Sequence, residues 1–206
     1  MRSKIVLLML AILSFALVSG CKHDETSDLS ASFGVVDATG TKLFDVTDES
    51  LYESIDRIIE DDDLSLSPLD GYDFMLLSEN GRSGKLAIYS FSQEEAEKAV
   101  SRGNQAASEW VGNVKAVELS TYASDTQAAA RNGIYIRALI GIFTPGAEEF
   151  VENALGIYGG PSGEATENGA GFVITVDTVT YSYFPENVSF RIEPSDAAIP
   201  AAIRPE

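Results

Sequence analysis

The sequence predicts an α+β fold in which β-hairpins and a mixed sheet pack against three or four helices. Short runs rich in Val, Ile, Phe and Tyr recur between glycine turns, as at Lys42 to Val46 and Lys85 to Phe91. Ser or Thr residues precede stretches whose apolar positions repeat at helical spacing. Hydrophobic residues make up 45% of the chain, which is ordinary for a globular protein and enough for a core.

Phe33 to Asp37 and Lys42 to Val46 flank Ala38-Thr-Gly-Thr41 and read as a hairpin. A helix is expected next. Ser50 and Glu53 have capping-box spacing, and Leu51, Ile55, Ile58 and Ile59 share one face. Glu60-Asp61-Asp62-Asp63 would oppose the negative end of the helix dipole, so the helix should stop by Glu60. Tyr72 to Leu77 and Lys85 to Phe91 form a second hairpin across Glu79-Asn-Gly-Arg-Ser-Gly84. Ser92 and Glu95 make a cleaner capping box for a helix to about Trp110. Its inward stripe is Ala96, Ala99, Val100, Ala107, Trp110 and Val111. Gly103 on that stripe marks close packing or a bend. Both blocks run strand, turn, strand, cap, helix, which is the order of an internal ββα duplication.

In the second half, Val114 to Leu119 reads as a strand. Ser124 or Asp125 caps a short alanine-rich helix ending at Asn132-Gly133, a stop signal. Ile134 to Phe143 is Ile-rich and apolar on both alternating faces apart from Arg137, as in a buried central strand. Thr144 then caps a helix to about Gly156, with Pro145 at its first position and Ala147, Phe150, Val151, Ala154 and Leu155 inward. Gly159 to Gly171 is a long glycine-rich loop. Phe172 to Tyr183 and Val188 to Ile192 form a last hairpin around Phe184-Pro-Glu-Asn187. The globular region is therefore 33–193, with candidate halves 33–112 and 113–193, and 194–206 is an extended tail.

The N-terminus carries an address. Arg2 and Lys4 precede a nearly continuous apolar run from Ile5 to Val18, then Ser19, Gly20 and Cys21. This is the order of a secretory signal peptide over residues 1–20. As a helix the run spans only about 21 Å, short of a roughly 30 Å hydrocarbon core. Val18-Ser19-Gly20-Cys21 resembles the lipobox of bacterial lipoproteins, with Val18 where that family usually has Leu. The resemblance covers residues 1–21. It implies cleavage between Gly20 and Cys21, acyl chains on Cys21, and a membrane partner reached through them. Two or three chains hold a protein that one cannot, at about 0.8 kcal/mol per buried CH₂. Polar residues 22–32 follow as a tether. In the enterobacterial members Asp after the Cys signals inner-membrane retention, so Lys22 implies the outer membrane.

Composition excludes several chemistries. Cys21 is the one cysteine, so no internal disulfide is available. His23 is the one histidine and lies in the tether, which argues against nucleophile–His triads and His-ligated metals. No Ser-x-x-Lys spacing involves Lys85, Lys98 or Lys115. With 32 acids against 14 bases the chain repels phosphate backbones, and nucleic acid is not an expected partner. Asp61, Asp62, Asp63 and Asp70 are weak candidates for a hard cation, without EF-hand spacing; a solvated acidic loop is the plainer reading. No cofactor is expected. The reading is a lipid-anchored envelope protein that binds or scaffolds, with a protein partner in the envelope. Two rivals stand beside it: a hydrolase of glycans using paired carboxylates, and an accessory lipoprotein of a transport or secretion assembly.

Overall fold

A computed structural model describes residues 35–37, 41–61, 66–68, 73–78, 81–121 and 126–195. The fold is α+β. In chain order the elements are β1 (Val35–Asp37), β2 (Lys42–Phe44), α1 (Asp48–Asp61), β3 (Leu66–Pro68), β4 (Phe74–Ser78), β5 (Gly81–Ser90) and α2 (Gln93–Ser101). A 3₁₀ turn (Gln105–Trp110), β6 (Val114–Thr121), α3 (Thr126–Phe143) and α4 (Glu148–Leu155) follow. The chain then closes with β7 (Thr166–Asn168), β8 (Gly171–Val176), β9 (Val179–Phe184) and β10 (Ser189–Pro194).

Strands β1 and β2 pair with each other, and the other eight form one sheet ordered β3-β4-β5-β6-β10-β9-β8-β7. Every described pairing is antiparallel, so the sheet is not mixed as the sequence predicts. The β5–β6 pairing crosses position 112, so the two candidate halves share a single sheet. Both N-terminal blocks keep the order strand, strand, helix. The first pair stands apart as its own small sheet, however, so the likeness is of order and not of packing.

The two sheet faces differ. Leu86 and Ile88 pair with Leu119 and Val117, which pair in turn with Phe190 and Ile192. These rows continue through Tyr183 and Tyr181. All are buried against Leu51 and Ile55 of α1, Ile136, Leu139 and Ile140 of α3, and Val151, Ala154 and Leu155 of α4. The opposite face carries the alternate residues Tyr89, Glu118, Arg191, Glu193 and Thr180. A second, smaller core joins Leu43 and Phe91 to Ala96, Ala99 and Ala107 beneath α2.

Several expectations hold. The Ser92–Glu95 capping box is complete, with both reciprocal hydrogen bonds made. Gly103 has φ 100°, and a Cβ there would touch nothing within 4 Å, so it provides the bend and not close packing. It ends α2 at Ser101, short of the expected Trp110, and hands over to the 3₁₀ turn, while Val111 of the expected inward stripe is exposed. Gly84 serves close approach instead: a Cβ there would sit 2.4 Å from the Ser120 carbonyl oxygen across the β5–β6 pair.

Others are corrected. The central strand expected at Ile134 to Phe143 is the second half of α3. Tyr135, Ile136, Leu139, Ile140 and Phe143 are buried while Ile134 and Arg137 are exposed, a helical and not an alternating pattern. A strand would have placed Arg137 on the same face as Tyr135 and Leu139. The stop signal Asn132-Gly133 lies inside the helix because tertiary contacts use both residues. Asn132 is buried and donates to Thr121 Oγ1, which donates to Val188 O at 3.1 Å. Gly133 leaves room for the Tyr158 ring. The cap of α1 is Thr47, not Ser50: Thr47 Oγ1 accepts from Ser50 N at 3.3 Å, and the helix runs on to Asp61. Thr144 does not cap α4. It is buried and shares a 2.7 Å hydrogen bond with the Tyr181 hydroxyl, and Phe150 is exposed. Phe172 to Tyr183 is not one strand but the β8–β9 hairpin, turning at Asp177-Thr178. Asp177 supplies the φ of 52° that glycine usually provides. The glycine-rich loop contains β7, and the tail begins one residue later than expected because Pro194 belongs to β10.

The hairpin β1–β2 is fastened to the sheet through Asn113. Its buried side-chain amide donates to Phe44 O at 2.9 Å, its N–H to Trp110 O at 3.0 Å, and its carbonyl accepts from Phe91 N at 2.8 Å. Replacing Asn113 by Ala leaves the buried Phe44 carbonyl without this donor. The expected loss is about 1–3 kcal/mol of unfolding free energy, measured by urea titration of wild type and variant.

Candidate functional site

The outer face of the sheet is where the described residues form a hollow. Its floor is the row Tyr89, Ala116, Glu193 and Thr180, taken from four neighbouring strands, and its wall is Thr41 and Lys42 of the small hairpin. The volume is about 720 Å³. Ala116 keeps the floor low between larger neighbours. Lys115 and Arg191 also reach the hollow.

The backbone places Lys115 there by irregularity. Tyr89 pairs with Ala116 and Ser90 with Val114, so Lys115 is the extra residue of a β-bulge. Bulges bend a strand and re-aim a side chain. The Lys115 ammonium lies 2.8 Å from both oxygens of Glu95. Glu95 also accepts from Ser92 N and Ser92 Oγ, at 2.8 and 2.9 Å, so the cap of α2 and the hollow share one carboxylate. Burial alone would push that carboxyl up, but the hydrogen bonds from Lys115 and Ser92 together hold it below its ordinary value.

Arg191 is gripped on both sides. Its Nη1 donates to Glu118 and its Nη2 to Glu193, each at 2.9 Å, and its guanidinium carbon stands 5.7 Å from the Tyr89 ring centre. The hydrogen bond to Glu193 raises the guanidinium further above its already high ordinary value, so Arg191 is a permanent cation. A second hollow of about 430 Å³ adjoins the first at Thr41 and adds Lys98 and Arg102 beside Glu95. Lys98 bonds Glu94 at 2.6 Å.

Among the described residues one carboxyl is held above its ordinary value. Glu152 of α4 is 4% exposed; burial raises it, and the nearby Glu148 and Glu149 raise it further against the pull of Arg137. Arg137 Nη1 donates to Glu152 Oε2 at 2.6 Å, while Oε1 is buried and accepts no hydrogen bond. Glu152 belongs to the α3–α4 contact and lines neither hollow.

Of the residues singled out in the sequence, Asp61 closes α1. Gly20, Cys21, Asp62, Asp63 and Asp70, and with them the tether and its His23, lie outside the described residues. Among the described residues no group of three or more His, Cys, Asp or Glu side chains is placed to hold a metal ion. No described helix is long and apolar enough to cross a membrane. The three lysines weighed for a Ser–Lys pair each face a carboxylate: Lys85 that of Asp73, Lys98 that of Glu94 and Lys115 that of Glu95. Tyr89, Arg191 and Glu193 carry no sequence signal beyond strand alternation. Comparisons with known protein families, with curated proteins and with solved structures found no match for the chain.

The Glu152 environment predicts an asymmetry. Glu152→Gln removes a buried charge and leaves Arg137 in water, so stability at pH 7 should hold or rise. Arg137→Ala strands the carboxylate and should cost about 1–3 kcal/mol. The sign with pH follows from the raised value. Glu152 binds its proton more tightly folded than unfolded, so its contribution is fully present below the ordinary 4.5 and is lost as pH rises through the folded value. Glu95, held low, acts oppositely: its contribution is present above 4.5 and lost as pH falls. Thermal melts of wild type, Glu152→Gln, Arg137→Ala and Glu95→Gln from pH 4 to 8 measure both effects.

Proposed function

We propose that this chain is an acyl-anchored envelope protein that works by binding, with the hollow on the outer sheet face as the seat of its ligand. The observation that carries the binding half is the convergence of Lys42, Lys115, Arg191 and Tyr89 on one concavity. A strand bulge aims one of these side chains and a tyrosine ring backs another. Sites that recognise small molecules are concave, with a few polar groups converging on them. The acyl half rests on the lipobox resemblance at Val18 to Cys21 and on the polar residues that follow.

Catalysis by paired carboxylates gains no support from the hollows. Glu95 and Glu193 line them, and each is bonded to a cation. The raised carboxyl, Glu152, faces the packing between α3 and α4 instead.

With Cys21 as anchor, the wild-type chain stays with the membrane pellet through a high-salt wash, and its mature N-terminal peptide begins at an acylated Cys21. The outer membrane is the expected fraction. Cys21→Ser moves the chain to the soluble or unprocessed pool. A Cys21→Ser chain that is processed normally and still resists the salt wash would disprove the anchor.

A further inference from the structure

We propose that the hollow binds a compact oxyanion, the carboxylate or phosphate group of a small ligand, between Lys42, Lys115 and Arg191 and beside the Tyr89 ring. The proposal rests on the reading of this hollow as the ligand seat and gives that ligand its chemistry.

Three independent observations carry it. The first is charge. The chain has a formal net charge of −18 and 14 cationic side chains. Yet Lys42, Lys115, Arg191, Lys98 and Arg102 line the two adjoining hollows, against two carboxylates, Glu95 and Glu193. With Glu118 and Glu94, which bond Arg191 and Lys98, at least four carboxylates stand among these five cations, so basic groups are far denser here than in a chain with 14 of them to 32 acids. The second is backbone geometry. Lys115 faces the hollow through a bulge that interrupts β5–β6 pairing, an irregularity that regular sheet formation would not produce.

The third is unused donor capacity. Arg191 commits one N–H of Nη1 to Glu118 and one of Nη2 to Glu193, and a guanidinium has five in a fork that fits carboxylate and phosphate. Lys115 gives two hydrogen bonds, both to Glu95, out of three that an ammonium can make. An entering oxyanion therefore finds donors without dismantling the Glu118–Arg191 or Lys115–Glu95 pairs. Glu193 is the competitor. Its Oε1 occupies the Nη2 edge of Arg191 from within the hollow, where an external oxyanion would bind. Removing its charge should open that edge.

The test is equilibrium dialysis of the detergent-solubilised full chain against inorganic phosphate and, in a separate arm, acetate, at constant ionic strength set with chloride. Saturable uptake of at least one probe, near one per chain, is expected. Phosphate uptake marks a phosphate-bearing ligand and acetate uptake a carboxylate. Lys42→Gln with Lys115→Gln should weaken the uptake about tenfold, with thermal melting checking that the variant is folded. Glu193→Gln, which leaves both lysines in place, should tighten it severalfold. Absence of saturable uptake of both probes overturns the proposal. So does uptake unchanged in the folded double variant, or Glu193→Gln that leaves binding equal or weaker. Acylation of Cys21 is read on the same preparations. An acylated chain that takes up neither probe overturns the oxyanion alone, and an unacylated chain that binds overturns the anchor alone.

Discussion

The arrangement of this protein depends on a short knot of backbone around Asn113. Gly112 and Asn113 together bind three parts of the chain that are far apart in sequence. Gly112 O accepts from Asp48 N at 2.8 Å, and Gly112 N donates to Phe91 O at 2.9 Å. Val114 N donates to Val46 O at 3.0 Å, and the Asn113 amide reaches Phe44 O across 69 positions. The start of α1, the approach to α2 and the first residues of β6 are thereby tied together. Phe44, Val46, Phe91, Asn113 and Val114 are buried, so an unmade bond at their polar groups would carry the cost of a desolvated polar group. The knot also decides where the hollow lies. It holds Thr41 and Lys42 over the start of β6, next to the bulge at Lys115, and without it the hollow would lose one wall.

A polar outer face on an otherwise well-packed sheet follows from the same economy. The inner face buries Leu, Ile, Val, Phe and Tyr rows under α1, α3 and α4, which is where apolar burial stabilises the fold. Antiparallel sheets can leave the other face to water, with alternate residues polar. That freedom releases Tyr89, Glu118, Arg191 and Glu193 from the packing demands of the core. The ion pairs there are half-exposed and contribute little net stability. Their value lies in holding Arg191 in one orientation against the Tyr89 ring.

How much of this was legible in the sequence varies with how local the cause is. The Ser92–Glu95 box was legible because its partners are three residues apart. The first hairpin and the Gly156 stop were legible for similar reasons. The identity of α3 was not. Ile, Tyr and Phe favour strands when nothing else is known, and Asn132-Gly133 looks like a helix stop until Thr121 and Tyr158 are placed beside it. The β8–β9 turn was hidden because Asp177 does what a glycine would have announced. The hollow was least legible. Arg191 and Glu118 meet across 73 positions. Lys115 faces the hollow through a bulge that no residue type signals, and strand register alone brings these groups together.

In the proposed site one bulged lysine, one clamped arginine and one hairpin lysine act together on a bound oxyanion. Amide chemical shifts of the full chain during titration with inorganic phosphate and with acetate test it most directly. At least one of the two titrations should give saturating shifts gathered at Thr41, Lys42, Tyr89, Lys115, Ala116 and Arg191, following a single curve. Small, unsaturating shifts in both titrations, spread over exposed cations such as Arg57 and Arg137, would contradict it.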